Sequence, residues 1–324
     1  MDGHRELSVG GSGHANILPF RNHCGYSSTV IMVTTDWVGM IGITGASGAL
    51  GRATAEVVLR SVEPREVVLV TRRPAALDEL AALGAHVRHA DFDEPHTVKA
   101  AFAGVERLLL ISTDNVGSRL DQHRAAIDAA VVAGVSYVAY TSVPAPVTDN
   151  PAVVVADHAL TERALVESGL AWTMLRNHLY AHLQLQGIQN AAATGKLFTN
   201  IGDGAAAFVT RDDCAAAAAA VLTRRGHENT ALEISGPEAV GARQLVDLAQ
   251  EIRGDSVELV HVDDEDLAAG LLAAGLPEPA VQLVTSFGAA TRGGFLEHVT
   301  TAVRDLTRRE PARFADVVRA LSAV

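Results

Sequence analysis

Residues 40–51 read Met40-Ile-Gly-Ile-Thr-Gly45-Ala-Ser-Gly48-Ala-Leu-Gly51, and this stretch decides the fold. Its first residues are apolar or small and predict a short buried strand, while residues 52–60 predict a helix. The glycines between them, spaced Gly-x-x-Gly-x-x-Gly, allow a tight turn, a close approach of the backbone to a phosphate, and close packing of the helix on the sheet. A strand, a glycine turn and a helix in this order are typical of a dinucleotide fingerprint, in which N–H groups at the helix start face the pyrophosphate.

Apolar runs of strand length alternate with helical segments as far as residue 177. The predicted strands are residues 66–71, 85–90, 106–111, 136–140 and 171–176, and the predicted helices are residues 75–83, 94–102, 119–133 and 153–168. Near-continuous apolar strands alternating with helices indicate a parallel sheet that is covered on both faces. The fold class is therefore predicted as α/β, a Rossmann-type doubly wound parallel sheet with its ligand at the carboxyl ends of the strands.

The sequence predicts three segments. Residues 1–39 are rich in glycine and lack periodicity, so we expect a disordered, dispensable extension. Residues 40–177 would form the dinucleotide-binding domain, and residues 178–324 a smaller α/β lobe that caps the ligand edge, with some segments returning to the sheet. In that lobe the predicted helices are residues 178–193, 211–224, 243–252 and 311–321, and the predicted strands are residues 231–235 and 257–262.

Composition narrows the class of protein. The 324 residues are 48% hydrophobic and carry a net charge of −12, which allows a large core and provides no basic footprint for nucleic acid or for an anionic membrane. With two cysteines and no apolar stretch that could span a bilayer, we expect a cytoplasmic protein. Cys214 is predicted to be a small buried hydrophobe, and the histidines near Cys24 have no repeated metal-ligand spacing. The sequence does not indicate an oligomeric state.

The end of the second predicted strand bears on the choice of nucleotide. It reads Val70-Thr71-Arg72-Arg73, and arginine at this place suits the 2′-phosphate of NADPH better than the ribose hydroxyl of NADH. The alternative is a solvated basic turn. After the third strand, Asp91 could accept a hydrogen bond from the adenine amino group or could instead cap the next helix.

Small polar residues follow the next two predicted strands, where a ribose and a nicotinamide would pass. These pairs are Ser112-Thr113 and Thr141-Ser142. They suit a closely approaching ligand, but they are equally good turn residues, so only their position favours the ligand.

One absence is informative about the chemistry. Many short-chain dehydrogenases use a Tyr-x-x-x-Lys pair to donate a proton, and residues 153–168 contain neither residue. His158 and Glu162 lie one helical turn apart in this segment, where they could form a structural pair or a proton relay. Reduction of a poor acceptor, such as a ketone, and epimerisation of a nucleotide sugar are both disfavoured because each normally needs the missing pair.

Several blocks together resemble the NmrA-like branch of atypical short-chain dehydrogenases/reductases. The closest likeness is to the group of NAD(P)H:quinone oxidoreductase type 2 and triphenylmethane reductase. The blocks that carry it, within residues 40–322, are Ile43-Thr-Gly-Ala-Ser-Gly-Ala-Leu-Gly51, Val70-Thr-Arg72, Leu109-Leu-Ile-Ser112, Ala139-Tyr-Thr-Ser142, Leu175-Arg-Asn-His-Leu-Tyr180 and residues 275–294.

The resemblance implies an NADPH-dependent oxidoreductase that passes a hydride to a quinone or a similar electron-poor acceptor. It also implies that the pyrophosphate is bound by Gly45, Ala46, Ser47, Gly48, Ala49 and Leu50, and the 2′-phosphate by Arg72. The adenine would lie near Asp91 and Phe92, the ribose along Ser112, Thr141 and Ser142, and the nicotinamide and acceptor near Asn177. The acceptor pocket would include Tyr180 and Phe208, either of which could be core instead. The candidate catalytic residues are Asn177 and His158. Because other members of the branch act as NADP(H)-sensing regulators, a non-catalytic sensor is the alternative.

Overall fold

The structure, a computed structural model, describes residues 39–322 of the chain. The predicted disordered extension over residues 1–39 lies outside the described residues, apart from its last glycine. Cys24 and the histidines near it lie outside them as well.

The described residues form eleven strands and twelve α-helices. The strands are β1 (Ile41–Ile43), β2 (Val67–Thr71), β3 (His86–His89), β4 (Arg107–Leu110), β5 (Tyr137–Ser142), β6 (Ala171–Asn177), β7 (Lys196–Thr199), β8 (Ala205–Ala206), β9 (Thr230–Ile234), β10 (Val240–Gly241) and β11 (Glu258–His261). The helices are α1 (Ala49–Val58), α2 (Asp78–Ala82), α3 (Pro95–Ala101), α4 (Arg119–Ala133), α5 (Val155–Glu167), α6 (Leu185–Thr194), α7 (Arg211–Thr223), α8 (Ala242–Arg253), α9 (Asp264–Ala273), α10 (Glu278–Arg292), α11 (Ala302–Thr307) and α12 (Phe314–Ser322).

Seven strands form one parallel sheet in the order β3-β2-β1-β4-β5-β6-β9. The chain runs outward from β1 to β3 on one side, and outward from β4 to β9 on the other. The strand order therefore reverses between β1 and β4, and a crevice opens there at the carboxyl ends of the strands, where such sheets bind their ligands. The predicted doubly wound parallel sheet is confirmed.

The central strands β1, β2, β4 and β5 are buried along their length because helices cover both faces of the sheet. Alternate side chains separate into two cores. Ile41, Leu69 and Leu109 pack in one core with α1, α7 and α11, and their neighbours Val68 and Leu108 pack in the other with α3, α4 and α5. The central strands are therefore held on both sides, and their carboxyl ends form a fixed edge.

The alanine run of α7 lies in the first of these cores. Ala215–Ala220 are all at most 1% exposed, and α7 packs against α1 and α11. Side chains this small allow neighbouring helices to approach closely. The helix predicted over residues 211–224 is confirmed as α7. Cys214 is a free, buried cysteine, and burial raises the pKa of its thiol, as expected for a small hydrophobe.

A third core belongs to a smaller lobe, formed mostly by residues after 177. It brings together α6, α8, α10 and α12 with two small sheets, β7 beside β11 and β8 beside β10. In contrast, α7 and β9 do not pack in this lobe, since α7 covers the central sheet and β9 extends that sheet beside β6. The division of the chain at residue 177 stays a prediction.

The lobe also differs from the sequence prediction. The helix predicted from residue 178 begins at Leu185, because Asn177 still belongs to β6 and a short 3-10 turn, Ala181–Gln184, comes first. Six elements were missed: β7, β8, β10, α9, α10 and α11. The missed strands are two to four residues long, and α9 has no buried residue, so the usual periodic signals are weak or absent.

Candidate active site

The glycine turn after β1 has the geometry of a phosphate cradle. Gly45 lies at φ +58°, which favours glycine, and a Cβ on Gly51 would lie 2.3 Å from the carbonyl oxygen of Gly45. Helix α1 begins at Ala49 without a side-chain cap. Its first N–H groups are therefore open to an anion, which is the chemistry a pyrophosphate requires.

The predicted pyrophosphate residues divide into two kinds. The N–H groups of Ala46 and Gly48 are already bonded, to the carbonyl oxygens of Val70 at 3.1 Å and Gly45 at 2.8 Å, and these bonds shape the turn. Among the described residues, no hydrogen bond occupies the N–H groups of Ser47, Ala49 or Leu50. Those three groups therefore fit a phosphate, and their role stays a prediction.

Two free guanidinium groups lie at the end of β2. Arg72 and Arg73 are exposed, and none of the ion pairs found within residues 39–322 includes either of them. The Thr71 hydroxyl lies 2.6 Å from that of Ser47, and it accepts the N–H of Arg73 at 3.0 Å. This contact ties the basic end of β2 to the glycine turn, in the place predicted for the 2′-phosphate.

Asp91 does not cap the next helix. Its carboxylate accepts the N–H of Asp93 at 3.1 Å in a local turn, whereas α3 begins at Pro95 with Glu94 at its N-cap position. That interpretation of the sequence is wrong, because three residues separate Asp91 from the helix. Asp91 and Phe92 are half-buried beside the end of β3, where adenine contact stays a prediction.

Three adjacent strands end in buried polar atoms that have no hydrogen-bond partner among the described residues. These atoms are Thr113 Oγ1 after β4, Ser142 Oγ on β5 and Asn177 Oδ1 on β6. Thr141 is different, because its hydroxyl accepts the N–H of Ser112 at 2.9 Å and donates to the Ser112 hydroxyl at 3.3 Å. A row of orphaned polar atoms across the carboxyl edge fits a polar ligand that completes their hydrogen bonds.

His158 does not pair with Glu162. Glu162 instead holds Arg176 through two hydrogen bonds, of 3.0 and 2.8 Å, while both nitrogens of the buried His158 are bonded elsewhere. Arg119 donates to Nε2 at 3.0 Å, so the neutral ring carries its proton on Nδ1 and donates it to the Tyr140 hydroxyl at 2.8 Å. The predicted contact is wrong, because Arg176 competes for the carboxylate.

The environment of His158 weighs against its predicted role as a proton donor. Burial, with the nearby Arg119 charge, lowers the pKa of the ring to about 3, so it is neutral at pH 7. A proton on Nε2 would face the N–H of Arg119. A catalytic role for His158 stays a prediction that the structure disfavours.

Tyr180 lies on the far side of Asn177, where β6 leaves the sheet. Its ring stacks on His182 with centroids 5.6 Å apart, and the Arg211 guanidinium lies 5.7 Å from its centroid. Arg211 also donates to Nε2 of His182 at 2.8 Å. Burial raises the pKa of the Tyr180 hydroxyl, with Arg211 and hydrogen bonding to Asn177 opposing it. The hydroxyl therefore stays protonated beside the candidate acceptor site.

Phe208 lies in the core of the lobe. It is 5% exposed, and its ring packs on that of Phe314 with centroids 4.8 Å apart. This position favours the interpretation of Phe208 as core over a place in an acceptor pocket.

The comparisons with known proteins agree with this geometry. A family model described as NAD(P)H-binding matches residues 45–225. The chain belongs to this NAD(P)H-binding family. The match begins at the glycine turn and ends just after α7, so it includes the cradle and the row of orphaned atoms.

Individual relatives of this NAD(P)H-binding chain are similar over most of their length. Quinone oxidoreductase 2 of Escherichia coli (strain K12) is 38% identical, over 81% of this chain and 92% of the relative. The structure of E. coli NADPH-dependent quinone oxidoreductase QOR2 complexed with NADPH has a TM-score of 0.83 at 35% identity, covering 87% of this chain and 99% of that one. Triphenylmethane reductase of Citrobacter sp., complexed with NADP(H), has a TM-score of 0.79 at 29% identity, covering 86% and 99%. The predicted resemblance is confirmed.

Within residues 39–322, no three His, Cys, Asp or Glu side chains are grouped as metal ligands. In the same part of the chain, every helix is too short or too polar to cross a membrane.

Sequence reasoning missed one set of residues at this edge, His123, Arg119 and Tyr140. They are buried around His158, on α4 and β5. Their spacing along the chain carries no signal, since they meet only when α4 and α5 pack on β5.

Proposed function

We propose that the chain is an NADPH-dependent oxidoreductase that transfers a hydride to a quinone or a similar electron-poor conjugated acceptor. One observation carries the proposal. An open phosphate cradle at β1 lies across the crevice from unpaired polar atoms at the ends of β4, β5 and β6. This arrangement occurs in a chain that is 38% identical to E. coli quinone oxidoreductase 2.

The binding residues of the proposed enzyme follow the edge of the sheet. The N–H groups of Ser47, Ala49 and Leu50 would hold the pyrophosphate, and Arg72 the 2′-phosphate. Along the remaining length, Ser112, Thr141 and Ser142 would face the ribose and nicotinamide. Bound NADPH supplies the hydride.

The acceptor end is proposed to form around Asn177 and Tyr180. The amide of Asn177 offers both a donor and an acceptor, so it can orient a carboxamide or a quinone oxygen. A quinone is electrophilic enough for proximity and orientation to provide most of the rate enhancement. Protons can come from water or from polar groups near Asn177, which is consistent with a neutral His158. We keep the predicted cytoplasmic location as part of this proposal.

The experiment mixes the purified chain, NADPH and a benzoquinone, and follows the loss of reduced-nicotinamide absorbance. Gly51→Ala should abolish turnover and weaken NADPH binding, because its Cβ would lie 2.3 Å from the Gly45 carbonyl oxygen. Gly187→Ala in α6 is the matched control, since its Cβ would meet nothing within 4 Å. Tight NADPH binding without turnover of any quinone or cationic dye would reject the enzyme and favour the NADP(H)-sensing regulator.

A further inference from the structure

The loop between β4 and α4, residues 111–118, is held in place by side chains from other elements. It borders the crevice where the strand order reverses, opposite the glycine turn. Four of its backbone N–H groups donate to side-chain acceptors: Ile111 to Thr44 Oγ1 at 2.9 Å, Ser112 to Thr141 Oγ1 at 2.9 Å, Thr113 to His123 Nε2 at 3.1 Å, and Gly117 to Asp157 Oδ2 at 2.7 Å. A loop with this many side-chain bonds is fixed before any ligand arrives.

His123, at 0% exposure, is the buried imidazole among these acceptors. Because Nε2 accepts the N–H of Thr113, the neutral ring carries its proton on Nδ1, which lies 3.0 Å from the Thr161 hydroxyl. Burial, with the Arg119 charge, lowers the pKa of His123 to about 4, so this arrangement persists at neutral pH. The ring therefore serves as a fixed acceptor for the loop.

The groups beneath His123 keep it in this orientation. The Tyr140 ring meets the His123 ring edge-on with centroids 5.4 Å apart, and His158 holds the Tyr140 hydroxyl from the other side. Arg119, the first residue of α4, completes the set by donating to His158. These side chains form a buried cluster beside the loop, with at most 3% of each exposed: His123, Tyr140 and His158.

Asp157 holds the other end of the loop. Its carboxylate accepts the N–H of Gly117, which lies at φ +87°. Asp157 is half-buried at the start of α5, so its contact can be removed with little disturbance of the core. His123 and Asp157 thus fix the two ends of the loop independently, from α4 and α5.

We propose that His123 and Asp157 are positioning residues, which hold the β4–α4 loop in the shape that receives the nicotinamide half of the dinucleotide. The effect on turnover rests on the proposed function, whereas the effect on loop order and cofactor affinity does not. The loop carries the Thr113 hydroxyl, whose oxygen is buried and has no hydrogen-bond partner among the described residues, so a shift of its backbone moves a polar group next to Ser112, one of the predicted cofactor contacts. A displacement of even about 1 Å slows hydride transfer, because the reaction depends on close alignment of the reacting atoms.

The test removes each acceptor and then restores it. His123→Leu and Asp157→Ala remove the acceptors, whereas His123→Gln and Asp157→Asn keep an oxygen that can accept the same N–H. Tyr137→Phe is the control, because it removes a buried hydrogen bond of 2.7 Å to Thr173 at the amino end of β5, far from the crevice. The readouts are amide hydrogen exchange of residues 111–118, the Kd for NADPH, and kcat and KM with a benzoquinone.

We expect both acceptor-removing variants to exchange the loop amides roughly tenfold faster, and to weaken NADPH binding and lower kcat by about tenfold, as the loss of one structured hydrogen bond implies. The Gln and Asn variants should restore all three quantities, and Tyr137→Phe should leave them unchanged. Faster loop exchange with unchanged Kd and kcat would overturn the proposal, as would unchanged loop exchange in Asp157→Ala. A wild-type chain that binds NADPH but reduces no quinone rejects the proposed function, and the exchange and affinity measurements still decide this inference.

Discussion

Asp213 and Arg309 form an ion pair that joins the start of α7 to the segment before α12. Asp213 is fully buried, and its carboxylate also accepts from the Thr210 hydroxyl at 2.7 Å and from the N–H of Ala312 at 3.0 Å. Two segments that are distant in sequence are thus held at one carboxylate. The ion pair has a structural role, since it lies apart from the predicted cofactor contacts along β1 to β6.

The first prediction concerns this ion pair. Arg309→Ala should lower the free energy of unfolding by about 3 kcal/mol, because it leaves the buried Asp213 carboxylate without its cation. Arg313→Ala is the control: its pair with Glu238 is solvent-exposed and screened by water, so its loss should change the free energy of unfolding much less. Urea denaturation measures both, and equal losses would show that the buried carboxylate is satisfied by its neutral partners.

The second prediction concerns the choice of nucleotide. Arg72→Ala should weaken NADPH binding roughly ten- to hundredfold and leave NADH binding almost unchanged, because a charge-assisted contact to phosphate is worth about 1.5–3 kcal/mol. Arg73 could substitute in part, so the double variant should show the larger effect. The exposed Arg65, at the other end of β2, provides the control. A parallel fall in both affinities would make Arg72 structural.

The third prediction concerns the acceptor end. Asn177→Ala should lower kcat for quinone reduction by roughly tenfold while NADPH still binds, because it removes the orphaned Oδ1 from the edge of the sheet. Asn190→Ala, in the exposed part of α6, should change neither quantity. Fluorescence titration with NADPH and steady-state kinetics separate the two effects. Full activity of Asn177→Ala would remove Asn177 from the site.

The fourth prediction is a pH dependence of stability. Burial lowers the pKa of His158 from 6.5 to about 3, so as the pH falls below 6.5 this group binds a proton in the unfolded state but not in the folded one. The stability contributed by the neutral ring is therefore present above pH 6.5, and it is lost by about 1.4 kcal/mol per pH unit as the pH falls.

His158→Gln should reduce that loss, because glutamine can accept from Arg119 without titrating. Urea denaturation between pH 6.5 and 4 should show a shallower slope for this variant than for the wild type. His96→Gln, at an exposed histidine, is the matched control. Identical slopes for all three proteins would mean that His158 is as easily protonated in the folded state as in the unfolded one.

The sheet could be predicted from the sequence because its central strands are buried on both faces. Residues 67–71 are all buried, and such a run is visible in the sequence without any knowledge of its partners. The glycine turn could be predicted for a similar reason, since Gly45 and Gly51 meet steric demands that act within a few residues. Constraints that act between residues close in sequence can therefore be recognised from the sequence.

Contacts between segments that are distant in sequence gave no pattern that could be recognised. Spacing along one helix suggested that His158 pairs with Glu162, but Arg176 from β6 takes the carboxylate and Arg119 from α4 takes the ring. Likewise, β7 was not predicted, because two of its four residues are exposed and its partner β11 lies about sixty residues later in the chain. The central sheet and its glycine turn were therefore predictable, whereas the short elements of the lobe and the partners of individual polar side chains were not.

The alanine run of α7 has a mechanical consequence. This helix begins at Arg211, over the ring of Tyr180, and its small side chains press it against α1, which begins at the phosphate cradle. The packing of α7 on α1 therefore connects the region of Tyr180 with the helix that begins at the cradle. Where an alanine of Ala215–Ala220 faces α1, a larger side chain would push α1 outward, so a change that touches neither the predicted cofactor contacts nor the acceptor end would still shift the cradle relative to Tyr180.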